Sequence, residues 1–273
     1  MKLATFTHGG RTRLGQIIDD QIFEMAWPDS MMAAVKRGMT PSRGSIHFKL
    51  DEVKFEAPLR PGKIIAIGLN YADHAKETGK AVPDKPLVFA KFPSAVIGDG
   101  DAISWRESTT DSVDWEAELA VVIGKQAKDV AEENAMDYVY GYTVGNDVSA
   151  RDLQNKKDLQ WTRGKSLDTF CPLGPWIITR DEIADPQNLK IKLELNGEVM
   201  QDSNTSNLIF SIPYLIHYLS QNFTLEPGDI ILTGTPPGVG HGMKPPKYLK
   251  DGDVVKTTIE GIGSITNPCV VKP

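Results

Sequence analysis

Two glutamates spaced two residues apart are the first groups in this sequence with evident chemical potential. In the run DWEAELAVVIG, Glu116 and Glu118 fall on a stretch of strand composition, and the period of two puts both side chains on one face. Their neighbours Leu119, Val121 and Ile123 are too apolar for an ordinary solvated edge. Two carboxylates held together there repel unless a proton or a cation lies between them. A third acid, Asp147, follows the apolar run VYGYTVGN and sits among Asn146, Arg151 and Asp152. Three oxygen ligands with no Cys or His among them suit a hard cation, Mg²⁺ or Mn²⁺, with positions left for water and substrate. Spacing alone leaves a second reading open, in which Glu116 and Glu118 pair with Lys or Arg on a solvated face and Asp147 caps a turn.

Acid–base groups are few. Of five histidines, His74 lies just past an apolar strand, with Glu77 three residues later on the short helical run DHAKE, so both share a face. Such a pair can activate water, the carboxylate orienting the imidazole, or can be an ordinary surface pair. Lys165, in WTRGKSLDTFCPLGP, could neutralise an anionic intermediate or simply be exposed. Arg151 could receive a carboxylate in a forked hydrogen bond. Gly234 and Thr235 end a buried strand in ILTGTPPGVG, where free N–H groups and a hydroxyl suit a substrate carboxylate, or a tight turn. Asp73 reads as a helix cap, His8, His47 and His217 as structural, and His241 as a residue near the site with no clear role.

The elements that must position these groups read mainly as strands. LATFT, TRLGQIID and IFEMAW, a short helix at 30–37 and the break TPSRGS suggest a small N-terminal domain over 1–57. A main domain over 58–273 follows, with strands at KIIAIGLN, PLVFAKF, WEAELAVVIG, VYGYTVGNDVS, PLGPWIIT, LKIKLELNGEV, DIILTGTP and DVVKTTIEGIGSITNPC. Helices are expected at 131–137 and 208–220, and a hairpin at Asn196-Gly197. Strands outnumber helices without regular alternation, which disfavours a TIM barrel or a doubly wound sheet and favours a mixed, mostly antiparallel β-sandwich or rolled sheet.

Composition narrows the function further. With 273 residues, 40% of them hydrophobic, the chain can bury a substantial core. A net charge of -6 and a pI near 5.4 disfavour nucleic acid or an anionic membrane as partner. No secretory leader and no apolar run of membrane-spanning length is evident, so a cytoplasmic protein is expected. Two cysteines, Cys171 and Cys269, are too few for a disulfide scaffold. TGTPPGVGHG lacks the Gly-Lys-Ser/Thr ending of a phosphate loop, and IGLNY is not GxGxxG.

Taken in order, IGLNYADHAKETG, PLVFAKFPSAVIGDGDAI, DWEAELAVVIG, YGYTVGNDVSARDLQ, GKSLDTFCPLGPWI, NGEVMQ and GDIILTGTPPGVG resemble the fumarylacetoacetate hydrolase family from about Pro61 to Cys269. The resemblance implies a mixed β-sandwich roll preceded by a small α+β region, usually dimeric, with a divalent metal on two glutamates and an aspartate. Those positions are Glu116, Glu118 and Asp147. It implies a lid over about 71–86 carrying a water-activating pair, His74 and Glu77, a conserved lysine at Lys165, substrate contacts from Arg151 and Gln154, and the loop threonine at Thr235.

A small 2-oxo acid is the expected substrate, chelated through a carboxylate oxygen and the C2 carbonyl. The short N-terminal region and the His74–Glu77 lid resemble the small acylpyruvase type, so hydrolysis of acylpyruvates at C3–C4 is the leading expectation. Oxaloacetate decarboxylation, isomerisation of 2-hydroxyhepta-2,4-diene-1,7-dioate, and non-catalytic binding of a 2-oxo acid are the alternatives.

Overall fold

The structure, a computed structural model, describes residues 1–28, 30–38, 41–73, 82–157 and 160–273, and of Lys156 and Lys157 the backbone alone. Strands dominate, as expected, in two main sheets. The larger is ordered Ser42–Lys49, Gln21–Trp27, Arg11–Ile18, Lys2–His8, Cys171–Thr179, Val139–Asn146, Ala117–Ile123, Ile230–Leu232, Ile64–Gly68 and Leu87–Lys91. Most neighbours are antiparallel, but Ile230–Leu232 runs parallel to Ile64–Gly68. The smaller is ordered Glu198–Asn204, Lys190–Leu195, Val254–Ile259, Gly263–Lys272 and Ile103–Arg106. This is a mixed, mainly β, sandwich-like fold with a small α+β region at its N-terminus. That region shares the larger sheet, since Lys2 and Leu3 pair with Ile178 and Ile177.

Alternation decides what each strand face buries. On Ala117–Ile123, Leu119, Val121 and Ile123 point into a core shared with Ile191, Leu193, Val255, Ile259 and Ile265 of the second sheet. Ala120 and Val122 point the other way, against Ile64, Phe89, Leu173, Ile177 and Leu232. The strand is therefore buried on both faces, so a polar side chain on it must find its partners inside the protein. Glu118 belongs to the second face.

Local signals set several boundaries. Asn196 and Gly197 both adopt positive φ, 53° and 84°, and join Lys190–Leu195 to Glu198–Asn204 as the expected tight hairpin. Ser30 caps Met31–Arg37 and Gly38 ends it in the left-handed conformation. Ser211 caps Ile212–Asn222, whose first turn carries Pro213. The helix expected at 131–137 is instead a run of 3₁₀ turns, Glu132–Tyr138, with Ala131 at its start offering no side-chain cap for the first N–H groups. No helix among the described residues is long and apolar enough to cross a membrane.

Candidate metal centre and active site

Strand register assembles the three acids. Ala117 pairs with Asn146, so Glu116, Glu118 and Asp147 meet at one end of two central strands, and the Asp147 N–H donates to the Glu116 carbonyl at 2.9 Å. One carboxylate oxygen from each lies within 4.8 Å of the others, and all three residues are buried. An octahedral shell with bonds of about 2.1 Å sets its oxygens roughly 3 to 4.2 Å apart, which small side-chain rotations would reach from this arrangement.

Cations interleave with the acids. The Lys165 ammonium donates to Glu116 Oε2 at 2.6 Å and to Asp147 Oδ2 at 2.8 Å. Lys91 donates to Asp147 Oδ1 at 2.6 Å and to the Val148 carbonyl at 3.2 Å, and also reaches the Lys165 carbonyl. Arg151 forks across Glu116 Oε1 at 2.6 Å and Asp114 Oδ2 at 2.8 Å, and gives a third bond of 3.0 Å to Gln154 Oε1. Burial alone would raise the Glu116 carboxyl, but Lys165 and Arg151 override it and hold the group down at about 2. Burial likewise opposes the Lys165 charge, yet Asp147 and Glu116 keep its pKa above the ordinary lysine value.

Glu118 is the exception. Burial, then the charges of Asp147 and Glu116, push its carboxyl well above the usual range, against weaker help from Lys165 and the Gly234 N–H, which donates to Oε2 at 2.8 Å. Burial and the neighbouring acids thus favour its protonated form, and a divalent cation would take the place of that proton. The all-oxygen donor set therefore fits Mg²⁺ or Mn²⁺. Two buried polar groups beside the cluster's ligands in sequence or in field, the Asn146 amide nitrogen and the Tyr71 hydroxyl, have no protein partner among the described residues. They fit a centre that also carries water or substrate.

The other expected site residues divide. Lys165, Arg151, Gln154 and Thr235 line one cavity of about 180 Å³ with Glu116 and Glu118. Lys165, which the sequence left open as exposed, is only 2% accessible, at the end of the short helix Trp161–Lys165. Thr235 accepts a 2.8 Å bond from Gln201, whose carbonyl oxygen takes the Ala117 N–H at 2.9 Å. His74 and Glu77, and with them residues 74–81 of the expected lid, lie outside the described residues.

Lys91 and Asp114 escaped the sequence reading, although a signal for each was present. Asp114 continues the period of two that joins Glu116 and Glu118, and its carboxylate gathers the N–H groups of Trp115, Gly240 and His241 as well as Arg151. Lys91 lies two residues after Phe89, and the period of two puts both on the buried face of Leu87–Lys91.

Gly164 makes the close approach on which Lys165 depends. A Cβ there would sit 2.7 Å from the Gln154 nitrogen and 2.9 Å from the Ala150 carbonyl, both backbone atoms that cannot step aside alone. Gly164→Ala should therefore push the Lys165 helix off the Arg151–Gln154 turn, costing about 1–3 kcal/mol. Thermal unfolding of the purified variant checks this; an unchanged midpoint would show that the helix is not seated there.

The family model for the C-terminal region of fumarylacetoacetate (FAA) hydrolase matches residues 63–270. The chain belongs to the fumarylacetoacetate hydrolase family. It is 47% identical over 265 residues to the rat mitochondrial oxaloacetate tautomerase Fahd2a, covering 94% of this chain and 84% of that protein. It is 43% identical over 299 residues to the oxaloacetate tautomerase YisK of Bacillus subtilis (strain 168), covering 98% and 99% respectively. Among solved structures, a fumarylacetoacetate hydrolase from psychrophilic Exiguobacterium antarcticum superposes with a TM-score of 0.90 at 40% identity, over the whole of both chains.

Proposed function

We propose that this protein is a divalent-metal-dependent tautomerase that interconverts the enol and keto forms of oxaloacetate. The reading is supported by 47% and 43% identity, over most of the chain, to two oxaloacetate tautomerases from distant organisms. The structural observation that carries it is the buried Lys165 ammonium set directly among the metal-binding carboxylates. It replaces acylpyruvate hydrolysis as the leading reading and stays closest to the isomerase alternative. Hydrolysis needs a water-activating pair, for which His74 and Glu77 are the candidates. Proton transfer at C3 needs a proton donor in the cavity, a role open to Lys165.

A cation on Glu116, Glu118 and Asp147, Mg²⁺ or Mn²⁺, would supply a Lewis acid for the substrate's C2 oxygen. Glu116 and Asp147 would share their charge with such a cation, which would leave the Lys165 ammonium a stronger acid. Its ammonium then delivers a proton to C3 as the enol closes to the ketone. The proton released from the C2 hydroxyl restores the ammonium by way of solvent, so none is gained or lost overall. The reverse passage uses the same groups. Arg151, Gln154 and Thr235 we assign to holding the substrate.

The test follows the enol absorbance of oxaloacetate with the Mg²⁺-loaded and the metal-stripped protein, with total oxaloacetate and pyruvate quantified at each time. Faster decay of the enol signal, dependent on metal and without pyruvate, is the expected outcome. Pyruvate formed in step with the decay would make the protein a decarboxylase instead. Acetate and pyruvate from acetylpyruvate, with the enol decay of oxaloacetate unaltered, would return the assignment to a hydrolase.

A further inference from the structure

One buried amide ties the strand of the metal ligands to the cavity wall. Gln201 is fully buried on Glu198–Asn204, an edge strand of the smaller sheet, and its side chain reaches across to the larger one. Its Oε1 accepts the Ala117 N–H at 2.9 Å, between Glu116 and Glu118 in sequence. Its Nε2 donates at 2.8 Å to the Thr235 hydroxyl and at 2.8 Å to the Pro236 carbonyl. We propose that Gln201 is a positioning residue of the active site, which commits the Thr235 hydroxyl to donating its proton to a carboxylate oxygen of the bound oxo acid. The inference rests on the reading of the cavity as a 2-oxo acid site and adds to it a residue that acts without touching the substrate.

Hydrogen-bond polarity sets the direction. A backbone N–H only donates and a carbonyl only accepts, so Ala117 and Pro236 together fix which end of the amide is oxygen. The amide nitrogen therefore faces Thr235, and the hydroxyl oxygen is the acceptor. A hydroxyl that accepts on one side turns its own proton to another, and among the described residues none takes that proton. Thr235 lines the cavity with Glu116, Glu118, Arg151 and Lys165, so the proton is left for a ligand. A carboxylate oxygen, which only accepts, is the partner that suits it.

The loop that carries Thr235 is seated on both sides of it. On one side the Gly234 N–H meets Glu118 Oε2 at 2.8 Å. On the other, Gly238 lies so near Glu198–Asn204 that a Cβ there would collide with the Met200 carbonyl, and its own carbonyl takes the Trp115 indole N–H at 3.1 Å. Both anchors lead back to the segment 115–118, which carries two of the three metal ligands. They fix where the Thr235 side chain stands. Gln201 supplies what they do not, the direction in which the hydroxyl donates, and a donor aimed before the ligand arrives costs no reorganisation.

Two substitutions separate direction from mere support. Gln201→Glu keeps the side-chain volume and the acceptor for Ala117, but its second oxygen replaces the donor. Ionised, that oxygen accepts from Thr235; protonated, it gives its one proton to the Pro236 carbonyl, the stronger acceptor, and still takes the hydroxyl proton. Calorimetric titration of the Mg²⁺-loaded protein with oxalate should then give a Kd roughly 10- to 100-fold weaker, the worth of a hydrogen bond to a charged group. Thr235→Val should lose the same factor, Thr235→Ser should keep the affinity, and Gln201→Glu should cost nothing further in the Thr235→Val background. Gln201→Met only releases the hydroxyl, so its loss should be the smaller; a supporting role would reverse that order, because methionine also forfeits the bonds to Ala117 and Pro236. With oxaloacetate the loss should fall on KM and leave kcat little changed. If one Gln201 variant does not fold, the other is read alone against Thr235→Val. Wild-type protein that binds oxalate but leaves the enol decay of oxaloacetate unaltered would sink the tautomerase reading alone, and wild-type protein that binds no oxalate would sink both. Unchanged oxalate affinity in Gln201→Glu, or a loss from either Gln201 variant that persists in the Thr235→Val background, would overturn the inference whatever the activity.

Discussion

Lys165→Met lowers the kcat of oxaloacetate tautomerisation by about 10²–10⁴-fold, the span typical of a lost general acid. Methionine keeps the length and apolar stem of the side chain, which packs with its Nζ 5.1 Å from the centre of the Phe89 ring, and removes only the charge and the proton. The same substitution should tighten Mg²⁺ rather than loosen it, because the ammonium occupies Glu116 Oε2 and Asp147 Oδ2, the atoms a cation would use. Metal-free, the variant should be less stable by about 3 kcal/mol, the usual cost of removing one member of a buried ion pair. Metal should restore most of that loss. Retained turnover, with tighter metal, would assign the C3 proton to a different residue.

Glu118→Gln is expected to weaken metal binding by more than about 100-fold, exceeding what loss of a residue behind a ligand costs. It should also stabilise the metal-free protein at neutral and alkaline pH. The folded-state pKa of Glu118 lies above its unfolded value, so between the two the folded protein binds the extra proton. The metal-free wild type is then favoured at low pH and loses stability as pH rises from the ordinary glutamate range through the elevated folded value. Glutamine imitates the protonated acid and does not titrate, so the variant should lack that fall. Denaturant unfolding of both metal-free proteins across pH measures the difference, and titration with Mg²⁺ in two buffers of unlike ionisation enthalpy should show one proton released by the wild type alone. Parallel pH profiles for the two proteins would mean that Glu118 is already ionised without metal.

Much of the centre was legible because strand geometry leaves little freedom. The period of two joins Glu116 to Glu118, and the apolar run before Asp147 places that residue at a strand end. The Asn196-Gly197 hairpin was equally plain, since few residue pairs accept two positive φ angles in succession. What a linear pattern does not carry is which face of a strand another strand covers. Leu119, Val121 and Ile123 were taken as the glutamates' surroundings, yet they face the opposite sheet. Lys165 and Lys91, ordinary surface residues by composition, are buried only because Asp147 lies between them, a contact formed across 18 and 56 residues of sequence. The choice between hydrolysis and isomerisation was out of reach for a similar reason. Both reactions use the same three acids and the same chelated 2-oxo group, so the ligand motif is silent on which follows.

The alternation of acids and bases around Asp147 has a consequence for the order in which the working complex is assembled. Asp114, Glu116, Glu118 and Asp147 face Lys91, Arg151 and Lys165, and a proton on Glu118 brings this set to electrical neutrality. Exchanging that proton for a divalent ion leaves one positive charge in excess inside a largely buried cluster. A bound anion removes the excess. Metal and oxo acid should accordingly favour each other's binding, by one and the same factor in either direction. An enzyme built in this way would hold its ion loosely at rest and firmly while substrate is present, so that supply of the acid itself sets how much of the protein is armed.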